Sequence, residues 1–146
     1  MYARHVAWKV KNQRRYKMEY IVWKDSFNIG VKEMDEQHKL LVSNINELYN
    51  AINTGNSESV VKPTLIKLTD YIKVHFAAEE NLLKMHNYPM IESQIAQHAH
   101  YISEIAFMES SLMNKKQTAQ NMLLFLKDWF IHHITTEDLK YIECVC

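Results

Sequence analysis

Glycine and proline are nearly missing from this chain, two of each in 146 residues. That scarcity removes the punctuation on which β-rich and loop-rich folds depend, and leaves long helices with few turns. An excess of either charge is missing too. Seventeen Lys and Arg balance seventeen Asp and Glu, which argues against nucleic acid or a charged membrane surface as the main partner. No apolar run approaches the roughly 18 to 20 residues of a membrane span, and no apolar signal block opens the chain, so the expected location is the cytoplasm. Cysteine occurs only as Cys144 and Cys146. They lie too close together for a disulfide framework and are expected to be reduced thiols without a metal role. The length suits one domain with a substantial core.

What the chain does have is helical periodicity. Residues 1–19, with Trp8, Lys9, Lys11, Arg14, Arg15 and Lys17, form a basic N-terminal extension that reads as a solvated tail or a docking helix. Residues 20–146 are the expected domain, opening with an extended arm from Tyr20 to Val31. A first helix from Met34 to Asn53 carries Met34, His38, Leu41, Ile45, Leu48 and Ile52 on one stripe. Asn53 to Ser57 is a turn by composition. The second helix runs to about His86 with Val61, Leu65, Leu68, Ile72, His75, Glu79 and Leu82 inward, and Pro63 is expected in its first turn. His86-Asn87-Tyr88-Pro89 breaks the pattern. A third helix then aligns Ile91, Gln94, His98, Tyr101, Ile105, Met108 and Leu112. After a turn at Asn114-Lys115-Lys116, a fourth turns Met122, Leu126, Trp129 and His133 inward. The fold class is all-α, an antiparallel up-down-up-down four-helix bundle with an N-terminal extended arm.

Polar groups inside these stripes need an explanation. A buried carboxylate without a partner costs several kcal/mol, so Glu79 needs a proton, a cation or a metal. One reading is a satisfied core histidine beside a protonated glutamate. The other is a metal site, and height along the bundle favours it. Counting from Gly55, His38 lies 17 residues before and His75 20 after; counting from Lys115, His98 lies 17 before and His133 18 after. Glu79 and Gln94 flank Tyr88 at nine and six residues. At ~1.5 Å rise per residue all of them share one layer, which independent core histidines have no reason to do. Imidazoles with carboxylates suit iron, zinc, copper or nickel better than magnesium or calcium. Helix geometry selects Glu137, four after His133, as the fourth helix's inward carboxylate. The remaining histidines, His5, His86, His100 and His132, are expected outside the cluster, and Asp35, Glu36 and Glu80 on solvated faces. Met85, Met90, Met108, Met113 and Met122 read as core or boundary filler, and Trp23 and Trp129 as packing.

The strings IGVKEMDEQHKLLVSNIN at 29–46, HFAAEE at 75–80, YP at 88–89 and WFIHHITTED at 129–138 together resemble the bacterial hemerythrins, over roughly Trp23 to Tyr141. That resemblance implies two non-haem iron ions bridged by an oxo or hydroxo group, with dioxygen or small anions such as azide as ligands. It implies His38 and His75 on one iron, which keeps an open position. The other iron takes three histidines, from an HxxxH pair and an HxxxxD motif, here including His98 and His133. Glu79 and Asp138 bridge the pair, so the motif points to Asp138 where helix geometry points to Glu137. The chain departs from the pattern at Gln94, which replaces the first histidine of HxxxH. His100 is turned about 200° away and is no substitute. The amide oxygen binds weakly, a water replaces it, or that iron binds with low affinity. An under-ligated site oxidises more readily, so the expected role is a dioxygen or redox sensor governing an attached or partner output module, such as a diguanylate cyclase. A free dioxygen carrier or store is the alternative, and a di-iron oxidase, which would show ExxH motifs on two helices, the second.

Overall fold

The computed structural model describes residues 18–54, 58–111 and 116–146. Residues 1–17, 55–57 and 112–115, and with them most of the basic extension, the expected turn at Gly55 and the expectations for Leu112, Met113, Asn114 and Lys115, lie outside the described residues. Among the described residues four long helices form the frame: α1 Lys32–Asn53, α2 Glu58–Met85, α3 Ile91–Ser111 and α4 Lys116–His132. Each packs against its chain neighbours, and α1 closes on α4. The helical stripes are buried as their spacing requires, with Leu41, Ile45 and Leu48 of α1 and Leu65, Leu68 and Ile72 of α2 in the same cluster as Tyr101, Ile105 and Leu126.

Helix α4 does not simply stop. His133–Glu137 is a π turn, Asp138–Tyr141 a 3-10 turn, and Ile142–Val145 one last helical turn, α5. Widening one turn by a residue changes which side chains share a face. The second core cluster forms beneath this segment, from Ile29, Met34, Leu83, Tyr88 and Tyr141. Between the two clusters lies the polar layer: on α1 His38 separates Met34 from Leu41, and on α2 Glu79 separates Phe76 from Leu83.

The turn from α2 to α3 explains the break at Tyr88-Pro89. Asn87 adopts a left-handed conformation at φ 52°, its N–H bonds the carbonyl of Lys84, and the N–H of Tyr88 bonds that of Leu83. That is a Schellman cap, completed by apolar contact between Tyr88 and Leu83.

The arm is irregular rather than strand-like, with a 3-10 turn at Asp25–Phe27. Asn46 bonds both the N–H and the carbonyl of Ile21 at 2.8 and 2.9 Å. One turn on, Asn50 does the same for Met18 at 3.0 and 2.9 Å. Two amides at helical spacing thus stand in for a neighbouring strand. The arm's 3-10 turn lies against the π turn, so it braces the least regular part of the bundle.

Three expectations are corrected. Asp35 is 8% exposed, not solvated; its carboxylate accepts the N–H groups of Ile29 at 2.7 Å and Gly30 at 3.1 Å. It holds the chain entering α1, where Gly30 at φ 89° makes the bend. Pro63 is the sixth residue of α2 as it begins at Glu58, inside the helix rather than in its first turn. Met85 and Met90 are exposed, Met85 because it lies about 200° round α2 from the buried Leu83 and Met90 because it lies in the turn before α3, whereas Met122 is buried. No helix among the described residues is long and apolar enough to cross a membrane.

Candidate metal centre

The layer between the two clusters contains His38, His75, Glu79, Gln94, His98, His133 and Asp138, each 3% exposed or less. The six polar residues that helical spacing turns inward are brought together with Asp138, which only the family motif pointed to. Two triads have ligand atoms within 4.8 Å of one another, His38 with His75 and Glu79, and Glu79 with His98 and His133. Glu79 belongs to both. Its Oε2 is 3.0 Å from His98 Nε2, and its Oε1 accepts the Tyr141 hydroxyl at 2.6 Å. Asp138 reaches the other way, 3.1 Å from His133 Nε2 and 3.4 Å from His38 Nε2.

Asp138 arrives there because of the π turn. Its N–H bonds the carbonyl of His133, five residues back. A residue at i+5 would lie about 140° round a regular α-helix, but in a π turn it lies over residue i. The Glu137 expected from α-helical geometry is displaced toward the surface, where Lys140 and Gln97 bind it. The only local hint was the five-residue spacing of histidine and aspartate.

Two residues outside the inward stripes, Gln37, which the periodicity left unassigned, and Glu80, which it put on a solvated face, complete the imidazoles. His75 Nδ1 is 2.8 Å from Gln37 Oε1, and His98 Nδ1 is 2.8 Å from Glu80 Oε1. Glu80 is therefore half-buried rather than fully solvated: it lies beside an inward stripe, and its carboxylate reaches the ring. Each contact makes Nδ1 the proton-bearing nitrogen and turns the Nε2 lone pair inward. Phe76 stacks on His98 at 3.8 Å and Trp129 on His133 at 4.4 Å, which fixes the rings from the apolar side.

The electrostatics suit cations. Burial lowers His38 to about 3, and His75 and His133 to about 4, so these rings stay neutral with lone pairs available. Burial works to raise Glu79, but the imidazoles of His98 and His75 beside it and the Tyr141 hydroxyl outweigh it and hold it below the usual carboxylate range. Asp138 goes the other way, pushed well above that range by burial and by the charge on Glu79. Two carboxylates in one dry pocket do not both ionise unless positive charge joins them.

The fit to metal also shows in the unpaired atoms. Among the described residues, both nitrogens of His38, Glu79 Oε2, Gln94 Oε1 and Asp138 Oδ2 are buried without a hydrogen-bond partner. At about 1–3 kcal/mol each, five such atoms approach the about 5–15 kcal/mol that keeps a domain folded. His98 Nε2 and His133 Nε2 face each other at 3.2 Å, as lone pairs do around a shared cation. Gln94 joins the same network, its amide N–H donating to Asp138 Oδ1 at 3.2 Å. His86, His100 and His132 are exposed and outside it. Cys144 and Cys146 are free and exposed.

The sequence profile of the hemerythrin HHE cation binding domain matches residues 29–145. The chain belongs to the hemerythrin family. It is 27% identical over 128 residues to a bacteriohemerythrin of Pseudomonas aeruginosa, covering 88% of this chain and 83% of that one. With a bacteriohemerythrin of Methylococcus capsulatus it shares 28% over 120 residues, 82% and 91% of the two chains. A hemerythrin-like protein of Naegleria gruberi shares 29% over 119 residues, 82% and 88%. The crystal structure of a wild-type hemerythrin superposes with a TM-score of 0.75 at 26% identity, over 86% of this chain and 98% of that one. The crystal structure of a hemerythrin point mutant gives 0.76 at 27%, over 88% and 98%. The hemerythrin domain binds a di-iron centre and, through it, dioxygen and small anions, and the layer described here has the histidines and carboxylates to hold such a centre.

Proposed function

We propose that this hemerythrin domain senses dioxygen or redox state, with His38 and His75 holding one iron, His98 and His133 the other, and Glu79 and Asp138 shared between them. When bound, the iron pair supplies reversible dioxygen binding and a two-electron change of oxidation state. The chain's own residues set how readily that change happens.

The observation that supports a sensor is Gln94. It occupies the position of an imidazole in the HxxxH pattern, is buried in the layer, and offers only a neutral amide whose N–H is committed to Asp138. A carboxamide oxygen is a poorer donor than an imidazole, so the second metal position keeps an exchangeable site that water or a small anion can reach. A store of dioxygen needs slow oxidation; a sensor uses fast oxidation as its signal. The π turn that leads into Asp138 contacts the arm on one side, and the chain continues through Tyr141 to α5 on the other. A change in the layer therefore has a short path toward an output module joined at either end.

A reversible carrier is the second reading, favoured by the dryness of the site, with every member of the layer at most 3% exposed. The variant Gln94→His separates the two. A sensor predicts that restoring the imidazole slows autoxidation of the ferrous protein by about tenfold or more. An unchanged rate removes the basis for the sensor and leaves the carrier.

A further inference from the structure

The imidazoles of the layer are not backed alike. His98 Nδ1 meets a carboxylate, Glu80, at 2.8 Å; His75 Nδ1 meets an amide oxygen, Gln37, at the same 2.8 Å; His38 Nδ1 is buried with no partner. The Glu80 side chain is 30% exposed, close enough to the interior for its charge to be felt at the ring. An anion on the outer N–H draws the proton toward itself and shifts electron density to the inner nitrogen, which makes that nitrogen the stronger donor. A neutral amide orients the ring equally well and polarises it less.

We propose that Glu80 is a positioning residue that decides the order in which the two metal positions fill, so that the His98–His133 position takes the first metal and the His38–His75 position the second. The inference rests on the two-metal reading above. It assigns a purpose to the carboxylate at the position where Gln94 has removed an imidazole: Glu80 restores donor strength through His98 that the missing ring would have supplied. The filling order also bears on assembly, because Glu79 and Asp138 are common to both positions and are committed by whichever metal arrives first.

The test adds cobalt(II) stepwise to the metal-free full chain and follows the histidine ring nitrogens by NMR. Wild-type protein is expected to show His98 and His133 responding to the first equivalent, then His38 and His75 to the second. Glu80→Gln keeps an oxygen to accept the Nδ1 proton and removes only the charge. Its first-step affinity is expected to fall by about 10- to 100-fold, with the two steps merging. The double variant Glu80→Gln, Gln37→Glu moves the charge to His75 and is expected to reverse the order. Wild-type protein that takes up two equivalents, with affinity and order unchanged in Glu80→Gln, overturns the role given to Glu80, as does a double variant that keeps the wild-type order. Wild-type protein that takes up fewer than two equivalents contradicts the two-metal reading itself.

Discussion

The two halves of the metal layer contribute two imidazoles each but are built by different means. The α1–α2 half sets His38 and His75 on regular helices, with an amide behind His75. The other half takes His98 from α3 and His133 from a π turn, adds the amide of Gln94 one turn before His98, and backs His98 with a carboxylate. The difference teaches that regular i, i+4 spacing is enough to bring His75 and Glu79 of α2 to one cation, whereas a carboxylate five residues on, Asp138 after His133, needs the π turn. Glu79 and Asp138 join the halves, and Tyr141 ties Glu79 back to the segment that carries Asp138.

The largest expected effect comes from breaking what the halves share. Glu79→Gln keeps the size of the side chain and an oxygen for the Tyr141 hydroxyl but removes the charge from both triads. Iron per chain, measured by elemental analysis, is expected to fall from two toward none while the helical circular dichroism is kept.

Next is a comparison of single losses. His75→Ala and His98→Ala each remove one imidazole, but the half containing Gln94 has the poorer donor in reserve. His98→Ala is therefore expected to cost more iron affinity, by about tenfold, than His75→Ala. Equal losses would make the halves equivalent.

Acid sharpens the contrast between the metal-free and loaded layers. His38 at about 3, and His75 and His133 at about 4, are depressed from 6.5, so between those values the unfolded chain binds more protons than the folded one. Stability of the metal-free protein is therefore lost as pH falls from 6.5 toward 4, by several kcal/mol in all, and levels off above 6.5 for these groups. Asp138, raised above its usual range, works in the opposite direction as pH rises above 3.8. Urea unfolding at pH 4.5, 5.5 and 7 checks the sign, and iron-loaded protein is expected to resist until protons displace the metal.

The smallest effect concerns the brace on the irregular half. Asn46→Ala frees the arm at Ile21 and is expected to lower stability by about 1 kcal/mol, with faster hydrogen exchange at 133–138 than in α1. Uniform exchange would mean that the arm does not support the π turn.

Most of the fold and the regular half of the layer were legible in the sequence for one physical reason: inward positions on a helix recur at fixed spacing, and His38, His75, Glu79 and His98 obey it. Asp138 did not, since helical spacing points to Glu137 and only the family motif named the aspartate. Glu80, Gln37 and Asp35 escaped as well. Each sits beside a stripe rather than in it, and periodicity reports where Cβ points, not where a long side chain folds back to find a partner. Met85 lies on α2 but off its inward stripe, about 200° round from the buried Leu83, so its apolar side chain faces outward.

The hemerythrin domain holds two iron ions, and this layer has the histidines and carboxylates for both. This is tested most directly by iron content per chain in protein grown with ample iron, read together with the visible spectrum in air, after dithionite and after azide. Two irons per chain are expected, with a spectrum that bleaches on reduction and changes with azide. Iron-free, colourless protein that ignores both reagents would contradict it.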